Sequence, residues 1–405
     1  MKVLVINCGS SSLKYQLFDM ADERCMAKGN VERVGSPDAF IVHRPEGSDK
    51  ITFNVEARDH EQALKHVFAA LTDSTHGVIS DLGQVSAIGH RVVHAGEKYA
   101  GSVLITDEVM AALNECQDLA PLHNPPNIMG VVACRRLMPD LPMVGVFDTA
   151  FHQTMPREAY MYALPYEMYT KYGLRRYGFH GTSHRYVSAR AAHVLGKKPQ
   201  DVCVVTCHLG NGSSLAAVKH GVSIDTTMGF TPLEGVPMGT RSGDLDPAIV
   251  SFLCEKLDKS ATEVVQGFLN KKSGVLGLSG GLSNDFRDLE QAAVDGNDLA
   301  KLALDVFAYK TAKYIGAYAV AMGALDAIVF TAGIGENSPE MRQRICDRLG
   351  LFRVELDPAR NAMRGVEQVI STPNSGVAVL CVPTNEEITI ARDTVQIVES
   401  GVAAL

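Results

Sequence analysis

At 405 residues the chain is too long for one compact core of ordinary size, so two large domains are expected. Its 46% hydrophobic and 21% charged residues read as a folded protein and exclude a disordered one. A net charge of −8 gives no basic footprint for nucleic acid and disfavours an anionic membrane surface, so any phosphate site must gather its Lys and Arg locally.

The chain opens with "VLVINCGSSSLKYQLFD" at residues 3–19, which predicts strands over 3–7 and 13–18 around a turn of small residues. Residues 61–71 predict a helix with Ala63, Leu64, Val67, Phe68 and Leu71 on one face. Residues 85–93 and 143–147 predict buried strands, and Pro125-Pro126 opens a helix over 127–137. A Tyr- and Pro-rich segment at 151–178 changes the composition, which places a domain boundary near residue 150. The resulting domains are 1–149, joined by the final helix at 387–405, and 150–386. At 202–218, "VCVVTCHLGNGSSLAAV" repeats the opening pattern of strand, small polar turn and strand, which suggests a duplicated fold with a cleft between its halves.

Residues 314–330 are apolar but broken by Gly316, Gly323 and Asp326, so they predict a buried helix running into a strand rather than a membrane span. In "TAGIGENSPEMRQRI", Ser338 and Pro339 start a helix. In "VPTNEEITIARDTV", Thr384 and Glu387 have capping-box spacing, and the last helix should bury Ile388, Ala391, Val395 and Val398. Nine cysteines, an odd number without a C-x-x-C pair, suggest reduced thiols and a cytoplasmic location. The apolar stretch 3–6 is too short for a signal peptide.

Small residues let backbone N–H groups approach a polyanion, so "GSSS" at 9–12 and "GNGSS" at 210–214 are candidate phosphate turns, with Lys14 adding a mobile charge. Either turn alone reads more readily as an ordinary hairpin, and it is their pairing that points to phosphate. "GIGEN" at 333–337 is expected to present free N–H groups to a nucleotide. Thr182-Ser183 can cap a helix over 184–195. No Walker P-loop and no protein-kinase H-R-D and D-F-G pair occur.

The strings "VINCGSSSLKY", "GHRVVHAGE", "APLHNPPN", "VFDTAFHQTMP", "YGFHGTSH", "HLGNGSS", "MGFTPLEGVPMGTRSGDLDP", "NKKSGVLGLSG", "NDFRD", "FTAGIGENS" and "PTNEE" together resemble the acetate kinase family, in family order and over nearly the whole chain. The resemblance implies transfer of phosphate from ATP to acetate, reversibly, giving acetyl phosphate and ADP. It also implies a duplicated actin-like (ribonuclease H-like) α/β fold with an ATP cleft between two domains. Mg²⁺ (or Mn²⁺) and a homodimer are implied as well, the dimer surface lying in the second half. No nucleic acid or membrane partner is expected.

A carboxylate acceptor is already ionised, so no general base is needed; the site must supply positive charge and alignment. The resemblance gives Arg91 and Arg241 as clamps on the carboxylate and the transferring group, and guanidinium geometry suits both. It makes Asp148 essential, and the residue type suits orienting an arginine or Mg²⁺-bound water. His180 is read as a donor to the transferring phosphoryl group and His184 as structural, a zinc pair lacking a third ligand. His123 is a second choice near acetate. Val93, Leu122, Phe179 and Pro232 match the family's methyl pocket, with core packing as the plain alternative. Asn7 and Glu386 match its metal positions, Glu386 being preferred because Glu387 is expected to cap. Lys14, His208, Leu209, Gly210, Asn211, Gly212, Asp285, Phe286, Arg287, Gly333, Ile334, Gly335, Glu336 and Asn337 match its ATP positions. Two other readings remain: a kinase of propionate or another short-chain carboxylate, and an actin- or chaperone-like ATPase. The halves are expected to close about hinges near 148–151 and 384–386.

Overall fold

The computed structural model describes residues 1–117 and 123–401. The chain forms two compact units, Met1–Gln153 with Asn385–Leu405, and Thr154–Thr384. The first unit carries β1 (Lys2–Cys8), β2 (Ser12–Asp19), β3 (Arg24–Glu32), β4 (Phe40–Pro45), β5 (Ile51–Asn54), β6 (Ala87–Val92), β7 (Val103–Leu104) and β8 (Met143–Phe147). Their order is β5-β4-β3-β2-β1-β6-β8-β7. The second carries β9 (Cys203–Leu209), β10 (Ser213–Lys219), β11 (Val222–Thr226), β12 (Ala327–Thr331), β13 (Gln368–Val369) and β14 (Ala378–Cys381), ordered β11-β10-β9-β12-β14-β13.

The two sheets share a five-stranded kernel. In each, three strands joined by short turns pair antiparallel, and the first of them pairs parallel with a strand that arrives after a long crossover. A further parallel strand follows in both. Tight turns permit only antiparallel neighbours, whereas parallel neighbours need a crossover. The order β3-β2-β1-β6-β8 therefore recurs as β11-β10-β9-β12-β14. This is the duplicated actin-like, ribonuclease H-like α/β fold expected from the sequence.

Central strands covered on both faces read as continuous apolar runs. All five residues of β8 and of β12 are buried, as are all seven of β9. In the first unit Leu4, Ile6 and Leu17 pack against Leu64, Val67 and Leu71 of the helix His60–Leu71. The helix Glu386–Ser400 packs on β1, β6 and β8. Its close seat needs Gly89, where a Cβ would lie 2.5 Å from Thr394 Oγ1 and 2.6 Å from Ile390 Cγ2. In the second unit Val205, Leu215, Ile328 and Phe330 pack against Leu304, Phe307 and Ile315 of the helix Asp298–Met322.

Three local expectations are corrected. The cap of the last helix is Asn385, whose side chain accepts from Ile388 N, and Thr384 Oγ1 pairs instead with Ser183 Oγ at 2.8 Å. That helix buries Asp393 and Thr394 along with Ile388, Ala391 and Ile397, while Val395 and Val398 stay half-buried. The Ser102 hydroxyl donates to Asp393 Oδ2 at 2.6 Å, which makes a polar residue cheaper to bury there. Thr182 and Ser183 do not cap: the helix is Gly181–Val194, and His180 occupies its cap position in a left-handed conformation with φ 56°. Ser338 does cap the helix Pro339–Cys346, its Oγ accepting from Met341 N at 2.9 Å.

Candidate active site

In the first unit three parallel strands end side by side, the usual place for ligands in an α/β sheet. Register sets Ile6 opposite His90 and Val92 opposite Phe147, so Asn7, Arg91 and Asp148 emerge together. Arg91 Nε donates to Asp148 Oδ1 at 3.0 Å and Nη2 to Oδ2 at 2.5 Å, a bidentate fork. Nη1 donates to Asn7 Oδ1 at 3.3 Å, and Glu386 Oε2 lies 4.0 Å from Nε. Burial works against the guanidinium charge, but Asp148 and Glu386 outweigh it and raise the Arg91 pKa.

Burial pushes the Glu386 carboxyl up to about 7; Arg91 opposes this, and the neighbouring Asp148 and Glu387 add to it. A carboxyl raised in the folded state binds its proton more tightly there than in the unfolded chain. That stability is fully present below the ordinary 4.5 and is lost as pH rises through about 7. Wild-type stability should therefore fall by about 1–3 kcal/mol across that window, and Glu386→Gln should flatten the fall. Urea midpoints for both proteins between pH 4.5 and 8 measure it; parallel curves would refute the assignment to Glu386.

The Asn7 carboxamide oxygen and the Glu386 carboxylate are hard oxygen donors of the kind Mg²⁺ takes. A cation beside Glu386 would relieve the clustering of carboxylates that raises its pKa. The residues present thus fit such an ion. Because Asn385 is the helix cap, Glu387 is not occupied in capping, and the argument that preferred Glu386 on that ground falls. Glu387 instead lines a groove of about 470 Å³ with Lys14, Asn7, Lys28 and Arg44.

Sequence reasoning missed the supports of this half. Asn127 Nδ2 donates to Cys8 O at 2.7 Å while its Oδ1 accepts from Val93 N at 3.1 Å. Asn124 holds both backbone groups of His94. The "HNPPN" string quoted above carried that signal, since an asparagine pair at i and i+3 faces one way from a helix. His60 Nε2 also pairs with Gly9 O at 2.7 Å and braces the first small-residue turn.

In the second unit the cross-strand pair His208 and Ser214 flanks the second turn. The helix Gly181–Val194 brings His180, Ser183 and His184 onto it. His180 stacks on His208 with ring centroids 4.1 Å apart, and its Nδ1 lies 2.8 Å from Ser214 Oγ. A Cβ on Gly212 would lie 3.4 Å from Arg241 Nη1 and 3.7 Å from His180 Nε2, so both groups converge over that glycine. Arg241 has no ion-pair partner among the described residues. Its Nη1 reaches only Pro232 O at 3.4 Å and Met238 Sδ at 3.7 Å, and burial lowers its pKa.

Both turns close on themselves, Gly9 N donating to Ser12 O and Gly210 N to Gly212 O. A cavity of about 420 Å³ in the second unit is lined by Gly210, Asn211, Asp285, Phe286, Arg287, Gly333, Ile334 and Asn337, together with Asn284, Glu290 and Ser338, which the sequence reading missed. Asp285 caps the helix Phe286–Val294 and forks with Arg287, which holds its carboxyl below the usual range. Leu209, by contrast, points into the core, and Gly335 packs against Phe330 backbone. "GIGEN" does precede the helix Pro339–Cys346, but it is not a free turn: Ala332–Asn337 is itself a short helix. Glu336 Oε1 is taken by Ala332 N and Thr384 N, so it braces the loop rather than facing the cavity. Val93 is buried in the first unit and Phe179 in the second, while Leu122 lies outside the described residues.

A duplicated fold, a small-residue turn in each half and a nucleotide-sized cavity are the features of a phosphotransferase. The sequence matches the acetokinase family over residues 2–392, and the chain belongs to that family. It is similar to an acetate kinase of Pseudothermotoga lettingae, 59% identical over 405 residues, 100% of this chain and 99% of that protein. Among solved structures it resembles an acetate kinase of Porphyromonas gingivalis, with TM-score 0.94 and 48% identity over 98% of this chain and 99% of that one. A propionate kinase of Francisella tularensis is more distant, with TM-score 0.91 and 41% identity over 98% and 99%.

Proposed function

We propose that this enzyme transfers the γ-phosphoryl group of ATP directly and in line to acetate, reversibly, forming acetyl phosphate and ADP. The observation that carries this reading is Arg241, a largely buried cation without a carboxylate partner among the described residues, its Nη1 and His180 Nε2 both converging on Gly212. A site built this way awaits an anion. Membership of the acetokinase family names the anion.

The roles follow from charge. Acetate arrives ionised, so no residue need remove a proton. Both oxygens of Asp148 are engaged by Arg91, which suits holding a guanidinium in place rather than general-base work. Arg91 and Arg241 offset the repulsion between acetate and the terminal phosphate, and His180 donates to an equatorial phosphoryl oxygen. The cavity bounded by Asp285, Phe286, Gly333 and Asn337 takes the nucleoside, and Lys14 is kept as a phosphate ligand on the family resemblance. Mg²⁺, when bound, neutralises β- and γ-phosphate charge, and Asn7 and Glu386 are its proposed protein-side oxygens. Incubation with MgATP and acetate followed by hydroxylamine should yield acetyl hydroxamate; ATP loss without it would favour a switching ATPase. A small apolar pocket should penalise each added methylene by roughly 1–3 kcal/mol, so kcat/KM should fall from acetate through propionate to butyrate.

The enzyme is further proposed to act as a cytoplasmic homodimer joined through its second unit. The helix Ala248–Leu257 buries none of its residues, yet carries Ile249, Phe252 and Leu257, which are 42%, 57% and 39% exposed. A second copy is a natural cover for such a face. Light scattering should find a dimer, and Phe252→Glu should weaken it.

A further inference from the structure

Beneath His180 runs a chain of buried hydrogen bonds: His180 Nδ1 to Ser214 Oγ at 2.8 Å, Ser214 Oγ to His184 Nε2 at 2.8 Å, and His184 Nδ1 to Thr206 Oγ1 at 2.7 Å. Thr206, His184 and Ser214 are each 0% exposed. Sheet register explains the alignment. Ser214 faces His208 and Ala216 faces Thr206 across β9 and β10, so these side chains share the face on which the helix Gly181–Val194 lays His184.

We propose that Thr206, His184 and Ser214 are positioning residues that hold His180 as its Nε2–H tautomer, so that the neutral ring presents a hydrogen-bond donor. The direction of the chain follows from its far end. The Thr206 hydroxyl carries one proton, and its two acceptors are His184 Nδ1 at 2.7 Å and Ala216 O at the much poorer 3.5 Å. It donates to His184. Accepting at Nδ1, a neutral His184 carries its proton on Nε2 and donates to Ser214 Oγ. Ser214 then spends its own proton on His180 Nδ1, and a neutral His180 must carry its proton on Nε2. That edge is the one that converges with Arg241 Nη1 on Gly212, while the ring face lies on His208. Two cations crowded there would repel, and a neutral donor beside Arg241 avoids that cost while keeping the hydrogen bond. Two serine or threonine hydroxyls and one histidine thus replace the carboxylate that more often orients a catalytic imidazole.

This rests on the reading of His180 as a phosphoryl donor, and the test separates the two. Full-length protein with ¹⁵N-labelled histidine at pH 8, assigned by loss of signals in His180→Gln, should show His180 with a bare Nδ1 and a protonated Nε2. Ser214→Ala should mix the tautomers and lower kcat about 10–100-fold, with KM for ATP held within about twofold. Ser214→Thr should restore both. Thr206→Val, two hydrogen bonds away, should shift the tautomer the same way. A wild-type His180 protonated at Nδ1 would overturn the proposal, as would an unchanged spectrum in Thr206→Val, which also serves if Ser214→Ala does not fold. Full activity in His180→Gln would instead defeat the reading of His180 as a donor and leave the tautomer result standing by itself.

Discussion

Arg241→Met is expected to lower kcat/KM for phosphoryl transfer about 10³-fold or more while leaving the protein as stable as before, or stabilising it by about 1 kcal/mol. The loss follows from the role: an arginine that meets developing phosphoryl charge contributes about 10³–10⁵ in rate. The stability follows from the surroundings. Burial lowers the Arg241 pKa, and among the described residues no carboxylate compensates it. The folded protein therefore carries a desolvated cation whose partners among the described residues are a distant carbonyl and a thioether. Methionine fills similar volume without that cost, as replacements of buried ionic groups by apolar ones often show. Urea denaturation beside a coupled assay for ADP reads both quantities. A large loss of stability would mean that Arg241 is a structural residue and would remove the observation on which the functional reading depends.

Arg91→Ala should reduce activity by a similar factor but with the opposite effect on folding. Asp148 keeps 3% of its side-chain surface and Arg91 keeps 23%. Removing the guanidinium strands a buried carboxylate next to Glu386. Breaking a buried pair from one side costs about 3–5 kcal/mol, and the partial exposure of Arg91 brings the expectation to about 2–4 kcal/mol. The cost should shrink at low pH, where Glu386 can take a proton. Arg91→Lys should recover part of the stability and little of the activity, since an ammonium cannot fork onto both Asp148 oxygens. Equal stability losses in Arg91→Ala and Arg241→Met would contradict the distinction drawn between the two arginines.

The duplicated fold was legible because its signal is local and came twice. An apolar run, a turn of small residues and a second run specify an antiparallel pair wherever they occur. Two such pairs, each followed by alternating β and α pattern, imply the same kernel in both halves. Helix starts were less secure. Thr384 and Glu387 stand at capping-box spacing, but Asn385 lies between them and is the better-placed cap, while the Thr384 hydroxyl finds Ser183, 201 residues away. Thr182 and Ser183 have the residue types of a cap, yet a left-handed His180 begins the helix one turn early and turns Ser183 toward His208 at 2.8 Å. In both places a tertiary hydrogen bond outbid a local one.

By itself, the sequence determined which residue types were available: small turns, two arginines near glycines, a carboxylate at a strand end and histidines near a helix start. It also carried the period of the helix over residues 61–71 and of the opening strand pairs, because hydrophobic spacing depends only on near neighbours along the chain. The tertiary structure alone decided the partners. Arg91 meets Asp148 across 57 residues because two parallel strands end in register, and Arg241 meets no carboxylate among the described residues. It also built the hydrogen-bonded chain under His180, through a register that places Thr206 opposite Ala216. Partnering over such separations is fixed by strand register and helix seating, which are properties of the assembled sheet and leave no mark on any short stretch of sequence.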